Sequence, residues 1–116
     1  MNIELIRSHC LKKHSTTESF PFDEDTLVFK VMGKMFCLTS LSEPNSINVK
    51  CDPEKAIALR EEYSCVTPGY HMNKAMWNTI ILDGTVSDKL IFEWIDHSYD
   101  EVVRKLSKKE RMALGI

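Results

Sequence analysis

Residues 26–41 constrain the fold most, because they predict two antiparallel strands joined by a tight turn. Side chains along the first half alternate with the period of two that a strand imposes. One face carries Leu27, Phe29 and Val31, and the other carries Val28, Lys30 and Met32. Gly33-Lys34 fits a type II′ turn, since glycine at the first central position supplies the positive φ that this turn requires. Residues 35–41 then return as the second strand.

Further helices and strands are predicted on both sides of this hairpin. Helical patterns cover residues 2–13, residues 52–63 and a last helix capped by Thr85 or Ser87, while strand patterns cover residues 47–51 and 77–82. Residues 15–19 are polar and predict a turn, and the rings of Phe20 and Phe22 are expected to plug the end of the core. The fold class predicted is α+β, with an antiparallel β-sheet and helices packed on one face. At 116 residues the chain is long enough for one domain, residues 1–116.

Composition excludes several classes of function. The net charge is −2 at pH 7, so any binding of nucleic acid depends on a local basic patch. Residues 1–14 have charged side chains among the apolar ones, unlike a signal peptide, and no apolar run approaches the roughly 18 residues of a membrane span. We therefore expect a cytoplasmic protein, a monomer, with no membrane association. The four cysteines form no Cys-x-x-Cys pair, which predicts reduced, buried thiols and no metal or other cofactor.

Several segments together resemble the MmcQ/YjbR family. They are residues 28–35, Lys50-Cys-Asp-Pro-Glu, residues 68–74, Trp77-Asn-Thr and Leu82-Asp-Gly. The resemblance covers nearly the whole chain and implies a frataxin-like (CyaY-like) α+β fold. It also implies DNA binding, with hairpins acting as wings, and here residues 33–34 would form the tip of one wing. Similar proteins commonly carry basic residues or histidine where this chain has Ala75-Met76, so two phosphate contacts are absent.

The candidate DNA contacts are polar and basic residues that the predicted register places on or beside the helix-free sheet face. They are Lys30, Lys34, Lys50, His71, Asn73, Lys74 and Asn78. Lysine contacts phosphates, and asparagine can read an adenine edge. The basic tail of the chain, which includes Lys105, could add contacts. The structural interpretation is that the lysines are ordinary solvated charges of strands, and that tryptophan and asparagine of the Trp-Asn-Thr strand fill the core.

Two other classes of function remain open at this point. One is a protein-interaction or small-ligand module that uses the surface of residues 70–77, with Tyr70, His71 and Trp77 as its contacts. The other is an enzyme in which Cys65 is activated by His71, six residues later. No third group clearly orients the histidine, so we expect no catalysis. A frataxin-like fold also raises iron binding, but the only tight acidic run is Asp23-Glu24-Asp25, and no metal site is predicted.

Overall fold

The computed structural model describes residues 1–69 and 72–115. In order, the elements of those residues are α1 (Ile3–Leu11), β1 (Thr16–Ser19), β2 (Thr26–Val31), β3 (Lys34–Ser40), β4 (Ser46–Lys50), α2 (Pro53–Glu62), β5 (Val66–Pro68), β6 (Trp77–Ile81), α3 (Asp88–Arg104) and α4 (Lys108–Leu114). Tyr70 and His71, two of the predicted site residues, lie outside the described residues.

The strands form one antiparallel sheet in the order β1-β2-β3-β4-β6-β5. Helices cover one face, where Ile6 of α1, Ile95 of α3 and Leu114 of α4 share an apolar core with strand residues such as Phe29 and Ile47. The predicted α+β class, with an antiparallel sheet and helices on one face, is confirmed. The frataxin-like assignment stays a prediction.

The helix starts predicted from capping residues are confirmed. The Leu5 N–H donates to Asn2 Oδ1 at 2.9 Å, and the Lys55 N–H donates to Asp52 Oδ2 at 3.1 Å. Of the two caps proposed for the last long helix, Ser87 takes the role, because its Oγ accepts from the Leu90 N–H at 3.1 Å. These bonds satisfy amide groups that the first turn of a helix leaves unpaired, so short local patterns were enough to locate them.

The hairpin turn lies one residue earlier than predicted. Its central residues are Met32 and Gly33, with φ of 50° and 77°, so both adopt the left-handed conformation and the turn is not the predicted type II′. Phe36 forms a bulge, since Phe29 pairs with Cys37 but Lys30 pairs with Met35. The extra residue shifts the register, and Lys34 becomes the first residue of β3 instead of part of the turn.

The prediction that residues 15–19 form a turn is wrong. Residues Thr16–Ser19 form the edge strand β1, which pairs with β2, and its Glu18 carboxylate accepts from the Arg7 guanidinium of α1 at 2.8 Å. The chain therefore leaves the sheet at its edge after β1. As a result Phe20 and Phe22 are 45% and 63% exposed instead of plugging the core. The short strand β5 was also missed by the sequence patterns.

Ser98 of α3 joins the helix layer to two strands. Its hydroxyl donates to the Phe36 carbonyl at the bulge, 2.5 Å away, and accepts from the Lys50 N–H at 2.8 Å. Ser98 is fully buried. The end of β4, and with it Lys50, is thus held against both α3 and β3.

Replacing Ser98 with alanine should lower the free energy of unfolding by about 2 kcal/mol, because the Phe36 carbonyl and the Lys50 N–H both lose their partner. Urea denaturation followed by circular dichroism measures the change. Ser64→Ala, at an exposed serine, is the matched control and should change stability by less than about 0.5 kcal/mol. Equal stability of the two variants would contradict a stabilising role of the Ser98 bridge.

Candidate functional site

The centre of the helix-free sheet face is filled by a small apolar cluster. Val28, Leu38 and Trp77 are buried there, and Met72 and Met76 pack against them. We call residues 72–76 the covering segment. Trp77 is only 7% exposed, as the structural interpretation of the Trp-Asn-Thr strand expected, so little of its ring is available to a partner. Its strand β6 is paired on both sides, with β4 and β5, and the two methionines pack against the ring.

The covering segment is fixed at both of its ends. The Gly69 N–H donates to the Trp77 carbonyl at 3.0 Å, and a β-carbon at position 69 would lie only 3.0 Å from the Trp77 Cβ, so a larger residue would crowd Trp77. From α2, the Arg60 guanidinium donates to the carbonyl oxygens of Lys74 and, at 3.3 Å, of Trp77. Arg60 was not predicted, although its spacing of four from the buried Ala56 indicates a shared inward face.

Asn78 does not lie with the predicted DNA contacts. It is 1% exposed on the helix-covered face, where its Oδ1 accepts from Arg60 Nε at 2.6 Å and its Nδ2 donates to the Ala56 carbonyl at 3.4 Å. Adjacent residues of a strand point to opposite faces, so only one of Trp77 and Asn78 can share the face of Lys50. Trp77 does, and the placement predicted for Asn78 is therefore wrong.

Three lysines from three elements meet at one end of the helix-free face. Lys34 begins β3, Lys50 ends β4, and Lys105 is the C-terminal cap of α3. Together with Met35 and Trp77 they line a cavity of about 400 Å³, which we call the basic cleft. Within residues 1–69 and 72–115, none of these three lysines forms a salt bridge.

The pKa of Lys50 reflects its partial burial and the charges around it. Partial burial lowers the pKa of Lys50 below its ordinary value, and the positive charges of Lys105 and Lys34 lower it further, while Glu101 raises it. Like charges held near one another without a paired anion create a strong local positive potential. A bound anion would stabilise the charged form of Lys50, so the cleft suits a phosphate or a carboxylate.

The other predicted contacts lie outside the basic cleft. Lys30 is half-buried on the same sheet face, paired with Met35 but not lining the cavity. Asn73 and Lys74 are exposed in the covering segment, where Asn73 Oδ1 accepts from the Ala75 N–H at 3.0 Å and so shapes a turn. Of the predicted basic residues, the structure therefore brings together Lys34 and Lys50. Lys105, which the sequence could assign only to a basic tail, joins them.

A second cavity lies toward the other end of the same face and was not predicted from the sequence. It has a volume of about 490 Å³, and its lining is rich in hydroxyl groups, so we call it the hydroxyl cleft. The lining residues are Phe22, Thr26, Leu38, Thr39, Ser40, Glu43, Ser46, Asn48 and Met72. Asn48 is oriented by Thr79, whose hydroxyl donates to Asn48 Oδ1 at 2.6 Å.

Several of the side chains considered for catalysis and metal binding are buried in the core or take part in local hydrogen bonds. Cys65, the cysteine considered as a nucleophile, is buried in the main core. The carboxylate of Asp23 accepts backbone N–H groups of residues 25 and 26, and Asp25 accepts the Ser40 hydroxyl. In the part of the chain that the structure describes, no three His, Cys, Asp or Glu side chains are grouped to hold a metal ion.

The same described residues contain no helix with both the length and the apolar character needed to cross a bilayer.

The amino-acid sequence matches the YjbR family model over residues 11–101. It is 32% identical to the uncharacterized protein YjbR of Escherichia coli K12 over 115 residues, which are 98% of each chain. It is 37% identical over 93 residues to the uncharacterized protein YbdF of Escherichia coli O157:H7, covering 79% of this chain and 76% of that protein.

A solved structure shares this architecture. The Deinococcus radiodurans protein DR2400, a DUF419 domain, superposes with a TM-score of 0.90 at 40% sequence identity, covering 98% of this chain and 88% of that one.

Arg60→Ala should lower the free energy of unfolding by about 2 kcal/mol, because Asn78 and two carbonyl groups lose the donor that serves them all. Arg60→Lys should restore little of this, since an ammonium lacks the planar fork of donors. Chemical denaturation measures both. Arg7→Ala removes an exposed arginine that pairs with Glu18, and should cost less than about 1 kcal/mol. A loss no larger for Arg60→Ala than for Arg7→Ala would show that Arg60 does not hold the segment.

Proposed function

The chain belongs to the YjbR family, and we propose that it is a non-enzymatic module that binds DNA by its phosphates at the basic cleft. The observation that carries the proposal is the convergence of Lys34, Lys50 and Lys105 around one cavity without a salt bridge among the described residues. The net charge of −2 provides no general attraction to a polyanion, so a local cluster of this kind is what phosphate binding requires.

Two carboxylates that interact electrostatically with the cluster, those of Glu101 and Glu110, also have hydrogen-bond donors of their own. Glu101 accepts from Arg104 at 2.6 Å. Glu110 accepts from the Ser107 N–H at 3.1 Å as part of the cap of α4, and that bond, helped by the charge of Lys34, lowers its pKa. Neither carboxylate forms a salt bridge with Lys34, Lys50 or Lys105 among the described residues, so the ammonium groups of these lysines can still contact a phosphate.

The position of the hairpin supports the same reading. The turn at Met32 and Gly33 projects beyond the first pair of the β2–β3 ladder, in which Val31 pairs with Lys34. Gly33 and Lys34 both line the basic cleft. A phosphate backbone in the cleft would therefore run beside the tip of the hairpin, in the manner expected of a wing.

Neutralisation of three phosphates predicts a characteristic response to salt. The logarithm of affinity should fall with the logarithm of salt concentration with a slope of about −3 for duplex DNA and about −2 for a single strand. Binding dominated by an apolar groove, as in a small-ligand or protein-interaction module, would change little with salt.

The proposal is tested with a triple variant, Lys34→Gln/Lys50→Gln/Lys105→Gln, in fluorescence-anisotropy titrations with labelled DNA at low and physiological salt. We expect at least a tenfold loss of affinity and a slope that flattens by about three for duplex DNA and about two for a single strand. The control, Lys12→Gln/Lys55→Gln/Lys89→Gln, removes the same charge from exposed lysines outside the cleft and should retain most of the affinity. An equal loss in both triple variants, or no binding at low salt, would refute the proposal.

A further inference from the structure

The two clefts on the helix-free face adjoin one another. Asn48 lines the hydroxyl cleft and Lys50 lines the basic cleft, and the two residues lie on the same face of β4, about 7 Å apart by strand geometry. Leu38 of the hydroxyl cleft and Trp77 of the basic cleft belong to one apolar cluster. Because Asn48 and Lys50 lie so close together, a ligand that runs along this face of β4 can place one end in each cavity.

We propose that the two clefts together bind one unpaired nucleotide, with its phosphate in the basic cleft and its base in the hydroxyl cleft. The phosphate half of this inference rests on the proposed function, and the base half is independent of it. A single nucleic-acid strand and a free nucleotide present the same chemistry to the site.

The hydroxyl cleft has the chemistry that recognises a base. Leu38, Met72 and the exposed ring of Phe22 supply apolar surface for the faces of a planar heterocycle. The Asn48 amide accepts from Thr79 through its Oδ1, and its Nδ2 has no hydrogen-bond partner among the described residues. That amide nitrogen can donate to an acceptor on a base edge. The volume of about 490 Å³ lies within the range of ordinary ligand cavities.

Charge sets the orientation of the ligand. Among the described residues, the only ionisable side chain in the lining of the hydroxyl cleft is the carboxylate of Glu43, whereas the basic cleft has three lysines. A phosphate is repelled from the first cavity and attracted to the second, and a neutral base is accepted by the first. The pair of cavities therefore matches the polarity of a nucleotide.

Geometry also selects the form of the nucleic acid. A base within a duplex is stacked and paired, so its faces cannot enter a cavity without leaving the helix. An unpaired base has both faces and its edge available, and stacking on an aromatic side chain stabilises such complexes. The site should therefore prefer a single strand to a duplex of the same length.

Phe22→Ala tests the inference most cleanly, because Phe22 is 63% exposed and its loss should leave the fold intact. Phe20→Ala is the matched control, since Phe20 belongs to the same loop, is 45% exposed and does not line the cleft. We expect Phe22→Ala and Asn48→Ala each to weaken single-strand binding about five- to tenfold. Duplex binding by these two variants should be unchanged, and so should single-strand binding by Phe20→Ala.

Competition distinguishes the two sources of the nucleotide. A nucleoside monophosphate that competes at concentrations similar to those of an oligonucleotide, and that loses affinity in Phe22→Ala, would assign the site to free nucleotides. Competition by the oligonucleotide alone would assign it to a single strand. Either outcome supports the inference.

Three results would overturn it: no preference for single strands with equal behaviour of Phe22→Ala and Phe20→Ala, competition by inorganic phosphate as strong as by the nucleotide or the oligonucleotide, or no binding of either the nucleotide or the oligonucleotide. If the lysine triple variant weakens single-strand binding and Phe22→Ala does not, the base half of the inference is refuted and the proposed function stands.

Discussion

The packing of Met72 and Met76 against Trp77, Val28 and Leu38 determines how this molecule presents its helix-free face. Without that contact the face would be an open surface of mixed side chains. With it, the centre is sealed and two cavities remain, one rich in lysine and one rich in hydroxyl groups. The packing in turn depends on Arg60, which reaches from the helix layer to the carbonyl groups of the covering segment.

The cationic end of the face results from three elements that are distant in sequence. The bulge at Phe36 and the shifted turn place Lys34 at the start of β3, the Ser98 bridge fixes the end of β4 that carries Lys50, and α3 ends in Lys105. Each position is set by packing that is unrelated to charge. The pKa of Lys50 is lowered chiefly by partial burial and then by its positive neighbours Lys105 and Lys34, and a bound phosphate would oppose the second of these effects.

Local patterns predicted the fold well, because caps and strand alternation act within a few residues. The caps at Asn2, Asp52 and Ser87 are examples. Features that depend on distant partners were not predictable. Residues 16–19 are a strand because β2 lies beside them, and Phe22 is exposed because that edge strand directs the chain outward.

The candidate site shows the same division between local and distant information. Sequence identified Lys34 and Lys50 from their places on the hairpin and the third strand, and the structure brings them together in one cleft. It misplaced Asn78, because the face of a strand residue depends on the register with the neighbouring strand, and it could not place Lys105 beside the sheet.

Titration of ¹⁵N-labelled protein with a short single-stranded oligonucleotide at physiological ionic strength, followed by NMR, tests the basic cleft most directly. The account predicts shift changes concentrated at Lys34, Lys50, Lys105 and the Trp77 indole, whereas changes centred on α1 and α2, or spread evenly over the surface, would contradict it.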